Sequence, residues 1–542
     1  MTAPAGTTTG TNGRPARTSR PLAGTGALLR LALRRDRIMT PIWVLALSAT
    51  LISGVGSIEA LYGTTAERAA LVRSLASDGS LRAMIGPVFD DSLGALVAWR
   101  LGGFAAIGAA VMSLVIVVRH TREEEETGRQ ELLSSAMVGR RAPLTAALLA
   151  ALAADAALAL IIALGLAGPT GSATGALALG LAIGLVGLLF ACLAAVTAQL
   201  TESARQAKGL AAAALGAAYA LRAAGDSSAD DGSAVPTWLS PLGWAANVRP
   251  YADERWWVLL LLTAAVLAQG AVAYALAARR DVGMSFLPAR PGPAEGRIAT
   301  AAALAWRLQR GAVLGWAAAF LAAGIALGSM AGGVADLVGE NEGTREIFER
   351  MGGQSELTDA FLAAMTGLFG MVAALFTAAS VLRLHGEETS QRAEPVLAGA
   401  VGRIGWAAGH LLIAFGGSAA ILLCAGLGLA LGHGADFGPV MGAVLLQIPA
   451  VWLLGGVTTA LWGALPKAAA ASWAVVGLCL AIGWIGPALN LPETVLELSP
   501  FGHLPKLPGG TMEWEPVLIL SALTAALLTA GLTALRHRDL RV

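Results

Sequence analysis

The chain has 542 residues, of which 56% are hydrophobic and 13% charged, with a formal net charge of +1 and a mean hydropathy of +0.67. Soluble domains carry about 25% charged residues, so this composition excludes a soluble protein, and the near-neutral balance singles out no charged partner. The apolar residues come in long blocks rather than in alternation, which excludes a β-barrel and predicts an all-α polytopic membrane protein.

Residues 1–23 are rich in Thr, Gly and Pro and read as a disordered cytoplasmic N-terminus. No short apolar core with a small-residue cleavage site follows, so an uncleaved, internally anchored protein is expected. About twelve transmembrane helices are predicted, at 39–58, 95–118, 143–168, 172–199, 207–224, 256–277, 311–331, 360–382, 404–432, 438–465, 468–489 and 516–535. Cys192, Cys424 and Cys479 all fall inside apolar runs and read as packing residues rather than as disulfide or metal ligands. The high Ala and Gly content suits close helix packing in lipid, although a GC-rich genome would produce the same bias.

Basic residues decide the orientation. Arg34, Arg35, Arg119, Arg122, Arg129, Arg140, Arg141, Arg279, Arg280, Arg383, Arg392, Arg403, Arg536 and Arg538 fall in one set of loops, whereas Asp90, Asp91, Asp230, Asp231, Glu340, Glu342, Glu493 and Glu497 fall in the other. Both termini are therefore expected in the cytoplasm, together with two glutamate-rich segments.

Those segments are RHTREEEETGRQELLSSAMVGRR, Arg119–Arg141, and RLHGEETSQRAEPVLAGAVGR, Arg383–Arg403. A shift of 263 positions superposes Glu124 on Glu387, Glu125 on Glu388, Arg129 on Arg392, Glu131 on Glu394 and Arg140 on Arg403. Three further anchors follow in order: Leu31-Ala32 with Leu304-Ala305, LSPLGW (Leu239–Trp244) with LSPFGH (Leu498–His503), and RRDV (Arg279–Val282) with HRDL (His537–Leu540). Ordered anchors at nearly constant offset indicate a duplication. The expected layout is a first half over 24–282, a cytoplasmic linker over 283–303 and a second half over 304–542. Six spans per half makes the two repeats parallel, unlike the inverted repeats of many secondary transporters.

From Glu123 to Val138 good helix formers run without proline, which predicts one amphipathic helix with a Glu125–Arg129 pair at i,i+4. A solvated turn is one reading of it. A catalytic Glu124–Glu125 pair is another, but adjacent helix residues diverge and no His, Cys or metal pattern accompanies them. Docking to a soluble partner explains why the block occurs twice.

Glu-Glu-x-x-x-Arg-x-Glu followed by Val-x-Arg ahead of a span resembles the permease subunits of type-2 ABC exporters. The duplicated layout resembles, more narrowly, the actinobacterial polyketide-antibiotic and multidrug exporter permeases. That resemblance implies that Glu124, Glu125, Gly128, Arg129, Glu131 and Arg140, with Glu387, Glu388, Arg392, Glu394 and Arg403, couple the chain to two copies of an ATP-binding subunit carrying Mg-ATP. No cofactor, metal or nucleic acid is implied for this chain itself. It also implies a bacterial plasma-membrane location, a connecting helix over 24–37, re-entrant segments over Pro236–Trp257 and Leu498–Gly510, and a lipophilic antibiotic or drug as cargo. Gln391 stands where the pattern has glycine, so a less regular second turn is expected, with charge reversal at Glu124–Glu125 weakening docking more than at Glu387–Glu388.

The sequence contains no G-x-x-x-x-G-K-[ST] loop, and GGQSE (Gly352–Glu356) falls in an outward loop, so ATP hydrolysis is expected on a separate polypeptide and the chain is read as a transport subunit rather than an enzyme. Candidate pathway residues are Asp155, Phe104, Phe369 and Phe376. Asp155 could meet a cation, carry a proton or bond a neighbouring helix; its repeat position is Ser418. The alternative, a proton-coupled secondary drug transporter, calls for paired intramembrane acids, and an integral-membrane transferase calls for a carboxylate or metal cluster.

Overall fold

The computed structural model describes residues 21–77, 79–130, 138–229, 231–281, 283–287, 296, 300–331, 357–434, 437–486 and 492–539. Among these, all regular structure is helical. Ten helices among the described residues are long and apolar enough to cross a membrane. All twelve expected segments contain helix over their described residues, but two fall short of the length or apolarity that spanning needs. The fifth, Ala204–Ser228, carries Arg205, Lys208, Arg222 and Asp226 and is too polar. The eleventh, Ala471–Ile485, has 15 residues, which at about 1.5 Å per residue is short of a ~30 Å hydrocarbon core.

The chain divides into two compact units, Met1–Pro291 and Gly292–Val542. In the first, α1 is Thr25–Arg35, α2 Met39–Leu61, α3 Gly103–His120, α4 Arg122–Glu126, α5 Ala142–Thr170, α6 Ala173–Leu200, α7 Ala204–Ser228 and α8 Trp256–Arg279. Helix α1 occupies the place expected for the connecting helix. Helix α6 is the centre of this unit and packs against α3, α5, α7 and α8. Its glycines let α5 approach closely: a Cβ on Gly180 would lie 2.4 Å from the Ala159 carbonyl oxygen. Helix α3 is entered through a π-helical turn, Ala98–Gly102, which the sequence does not announce.

In the second unit, α9 is Ala301–Ala331, α10 Leu357–Thr389, α11 Arg403–His433, α12 Phe437–Leu445, α13 Ile448–Ala464, α14 Ala471–Ile485 and α15 Trp514–His537. Helices α9 and α11 meet through Gly324 and Gly328 on one side and Gly428 and Gly432 on the other. A Cβ on Gly328 or Gly428 would lie 2.3 Å from a facing carbonyl oxygen, so any larger side chain would force the pair apart. The span expected over 438–465 is broken at Leu446–Gln447 into α12 and α13. Pro449, in the first turn of α13, has no N–H to carry the α12 ladder onward.

The two Leu-Ser-Pro motifs share a serine that donates to the carbonyl of an earlier helix, and only the first also caps the turn that follows. Ser240 accepts from the Leu242 and Gly243 amides at 3.2 and 3.4 Å and donates to the Ala218 carbonyl at 2.6 Å. Ser499 donates to the Cys479 carbonyl at 3.1 Å. Each proline then opens a short helical turn, Pro241–Asn247 or Pro500–His503, where its missing N–H costs nothing. The three cysteines are free thiols, and Cys192 and Cys479 are buried.

Candidate functional site

Helix α3 stops at His120, where Thr121 takes φ −123° and ψ −85° and turns the chain into α4. Four consecutive glutamates follow. Successive residues on a helix are about 100° apart, so four in a row fan around the axis and reach four different neighbours. Glu123 pairs with Lys208 Nζ of α7 at 3.3 Å. Glu124 pairs with Arg35 of α1 and with Arg129 at 3.2 Å. Glu125 takes Arg122 at 2.5 Å and a two-pronged contact from Arg280, 2.5 and 2.9 Å, just beyond α8. Glu126 accepts the Ala204 amide at 2.9 Å, at the N-terminus of α7, where a negative charge also suits the helix dipole. Asp36, between α1 and α2, completes the hub by binding Arg119 at 2.8 Å and His120 at 2.5 Å.

The uninterrupted helix expected from Glu123 to Val138 does not form. Helix α4 ends at Glu126, and Gly128 adopts a left-handed φ of +72°. That turn destroys the i,i+4 register, so Arg129 meets Glu124 instead of Glu125. Glu131 lies outside the described residues, as do all of 131–137. Past them, Gly139 and Arg141 donate backbone N–H bonds to Ala23 and Pro21, and Arg140 Nη2 donates to the Arg280 carbonyl at 2.7 Å.

In the second unit α10 runs unbroken to Thr389, with Glu387 and Glu388 in its last turn. Arg538 grips Glu388 with both guanidinium nitrogens, at 2.5 and 2.8 Å, and Trp462 Nε1 donates to the same carboxylate at 3.1 Å. Arg403 Nη1 donates to the Arg538 carbonyl at 2.6 Å, the repeat counterpart of Arg140 on Arg280. Glu387 faces Arg383 at 3.5 Å, and its carbonyl accepts the amides of Arg392 and Ala393. Arg392 and Glu394 are exposed, and Glu394 opens the short helix Glu394–Leu397. Gln391 has φ +59°, matching Gly128. The second turn is therefore not less regular; it keeps the glycine shape with a side chain that resists it.

The carboxylates thus divide by role. Glu125 and Glu388 have side chains only 6% and 3% exposed and are held inside their own units. Facing outward are Thr127 and Arg129 in one turn and Thr389, Ser390, Gln391 and Arg392 in the other. The sequence reading missed Arg35, Asp36, Trp462, Arg280 and Arg538 as site residues, although the last two belong to the RRDV/HRDL anchor.

Of the four candidate pathway residues, Phe369 and Phe376 share one aromatic group in the second unit, whereas Asp155 and Phe104 lie apart in the first. Asp155 is 2% exposed; it accepts from Ser113 Oγ at 2.7 Å, and a Cβ on Gly187 would fall 2.2 Å from its Oδ1, so it joins α3, α5 and α6. Phe369 and Phe376 are buried in an aromatic group, 5.2 Å from Phe320 and 6.1 Å from Trp316 between ring centroids. Phe104 is 52% exposed and borders a cavity.

These features define an all-helical, multi-pass membrane protein with a repeated, internally stapled turn. The family described as "Multidrug efflux system permease Rv1217c, C-terminal domain" matches residues 298–536. A protein of Mycobacterium tuberculosis, "Multidrug efflux system permease protein Rv1217c", is 43% identical over 528 residues, covering 96% of this chain and 95% of that one. The chain belongs to this family of efflux-system permeases and is a transport permease.

Proposed function

We propose that the chain is the membrane subunit of an ATP-driven exporter that expels lipophilic small molecules, antibiotics or drugs among them, from a bacterial cell. The observation that carries this reading is the glutamate-rich turn, present twice, with the same staple to the residue that follows the last helix of each unit. Each turn offers an outward-facing tip on a rigid base, a shape that suits docking of one ATP-binding subunit per turn. Two such subunits, each holding Mg-ATP, would sit on the cytoplasmic face with both termini of this chain, as the basic loops favour. A push on a loose loop is absorbed by the loop. A push on Arg129 or Arg392 is passed through Glu124 or the Glu387 carbonyl into helices already tied by Arg280 or Arg538. ATP drives transport only insofar as its binding distinguishes two states of the permease.

The efflux role of the Mycobacterium relative supports the outward direction. A proton-coupled carrier draws less support, because Asp155 is enclosed by Ser113 and Gly187 rather than facing a path. The test is co-purification with candidate ATP-binding subunits from the same genome, followed by ATP turnover in lipid. A complex of one permease with two such subunits, losing turnover in Arg129→Glu and Arg392→Glu, is expected. A chain that purifies alone and moves drug on a proton gradient would overturn the proposal.

A further inference from the structure

The second unit contains a cavity at the end of α10 away from the Glu387–Glu388 turn. It has about 1160 Å³ of non-protein space, its open mouth included. Its walls are apolar and aromatic, with Met371, Trp484, Leu496, Phe501 and Leu504. Glu493, Glu497 and Lys506, charges of both signs, are exposed members of its lining. His503 also borders it, with Nε2 committed to the Glu497 carbonyl at 2.7 Å.

One polar side chain lies deep. Gln447 stands at the break between α12 and α13, beside Gly370 of α10, where a Cβ would lie 2.9 Å from its Oε1. Gly370 is about 20 Å along α10 from Arg383, at ~1.5 Å per residue, so the break falls within the ~30 Å depth of a hydrocarbon core. Irregular backbone is tolerated at that depth where it lines a cavity, and broken helices of this kind form the polar sites of many transporters. Gln447 is 6% exposed. Its amide makes no hydrogen bond among the described residues, and neither amide atom is sealed in protein, because the side chain lines the cavity. A buried amide that meets nothing is costly, and a ligand group that donates and accepts side by side would satisfy both of its atoms. The repeat position is Gly184, inside the unbroken α6, so the first unit has neither the break nor the amide.

We infer that this cavity binds lipophilic molecules through Gln447, and that it prefers those presenting an uncharged group that both donates and accepts, such as an amide, over those that only accept. The inference rests on the proposed lipophilic cargo and adds the polar group by which the second unit reads it. The mouth mixes charges of both signs, so the distinguishing contact is the amide on the floor.

The test uses the full chain without any ATPase, in nanodiscs of phosphatidylcholine. Dibromostearamide and methyl dibromostearate, two uncharged probes with the same brominated chain, are titrated separately. The Trp484 emission is taken as the difference between wild type and Trp484→Phe. The amide should quench that emission saturably, and unbrominated stearamide should release it. The amide-to-ester affinity ratio should drop about tenfold in Gln447→Met, a comparison in which the probes' own partitioning into lipid cancels. Gly367→Leu should abolish saturable quenching, because a Cβ at 367 meets nothing within 4 Å and the longer side chain enters the cavity. Hydrogen exchange separates a binding role from a structural one: the amides of 445–451 should be no less protected in Gln447→Met, since the side chain it removes had no partner. An unchanged ratio, no saturable quenching, faster exchange at 445–451, or quenching unchanged in Gly367→Leu would overturn the inference. So would displacement of the probe by phosphatidylethanolamine at its ordinary membrane abundance, which would make this a resident lipid site. Because no ATPase is present, failure here leaves the coupling proposal standing, and loss of the coupling proposal leaves this binding result intact.

Discussion

The staples at Glu125 and Glu388 look alike but are unequally protected, and the difference can be measured. Arg538→Met removes both charge-assisted bonds to Glu388, a carboxylate 3% exposed that keeps the Trp462 Nε1 donor. Stranding one member of a buried pair costs about 3–5 kcal/mol. Arg538 is 13% exposed, so some water reaches the pair, and about 3 kcal/mol is the reasoned loss. Arg280→Met also removes two charge-assisted bonds but is milder, because Arg122 still holds Glu125 at 2.5 Å and no buried charge is stranded; about 1–2 kcal/mol is expected. Global melting is a poor probe in a chain of two units, whereas hydrogen exchange reads local opening. The amides of 388–393 should exchange roughly a hundredfold faster in Arg538→Met, while those of 124–130 should accelerate by about tenfold in Arg280→Met. The double variant Glu388→Gln with Arg538→Met should recover part of the loss, since no buried charge is then stranded. Equal acceleration of the two turns, or no rescue by Glu388→Gln, would refute the reasoning.

In the same exchange assay Gln391→Gly should slow opening of the second turn, since glycine accepts φ +59° without the cost of about 1 kcal/mol that a side chain brings. Gly128→Ala should do the reverse by about 1 kcal/mol and for backbone reasons alone, because a Cβ there meets nothing within 4 Å. Ser240→Ala should lower the local opening free energy of its segment by about 1–2 kcal/mol in that assay, and Ser499→Ala by less, because Ser240 makes three bonds through its hydroxyl and Ser499 is seen to make the carbonyl bond only. Asp155→Asn should leave drug efflux and its pH profile unchanged, while Gly187→Val should destabilise by about 2 kcal/mol as the new side chain meets Asp155; a flattened pH profile in Asp155→Asn would return that residue to the transport path.

The spans were legible because a lipid-crossing helix must be long and apolar whatever it packs against, and ten of the twelve expected segments satisfy that requirement. The other two show where the signal thins. Arg222 and Asp226 were visible in the fifth, but not that Arg222 ties the carbonyls of 83–85 while Asp226 accepts from Thr237. In the eleventh the described helix ends at Ile485, and 487–489 of the expected span lie outside the described residues. The duplicated glutamates were visible as a pattern, whereas their partners were not. Glu125 and Arg280 are 155 residues apart, and no local rule joins them. Propensity misled at Gly128, because strong helix formers on both sides outweighed the one residue that decides the backbone there. The π-helical turn left no trace, since Ala-Trp-Arg-Leu-Gly is ordinary helix sequence.

The unequal number of glutamates in the two halves follows from where each helix breaks. In the first unit the chain turns at Thr121, so α4 is a separate piece of five residues, too short to hold itself by its own ladder. It needs ties on every side, and four consecutive carboxylates supply them to α1, α7 and the end of α8. In the second unit α10 continues through to Thr389 and carries the same stretch as its last turns. Gly386 and Thr389 stand at the repeat positions of Glu123 and Glu126, and the intact helix makes those two ties unnecessary. Both halves retain the glutamate pair, and in each the second glutamate is held by the arginine beyond the last helix. If ATP-driven movement enters through the exposed tips, this shared staple is the step where a push on a turn becomes a movement of helices. By the same reasoning, Glu123→Gln or Glu126→Gln should loosen the first turn alone, whereas loss of either arginine should uncouple its own half.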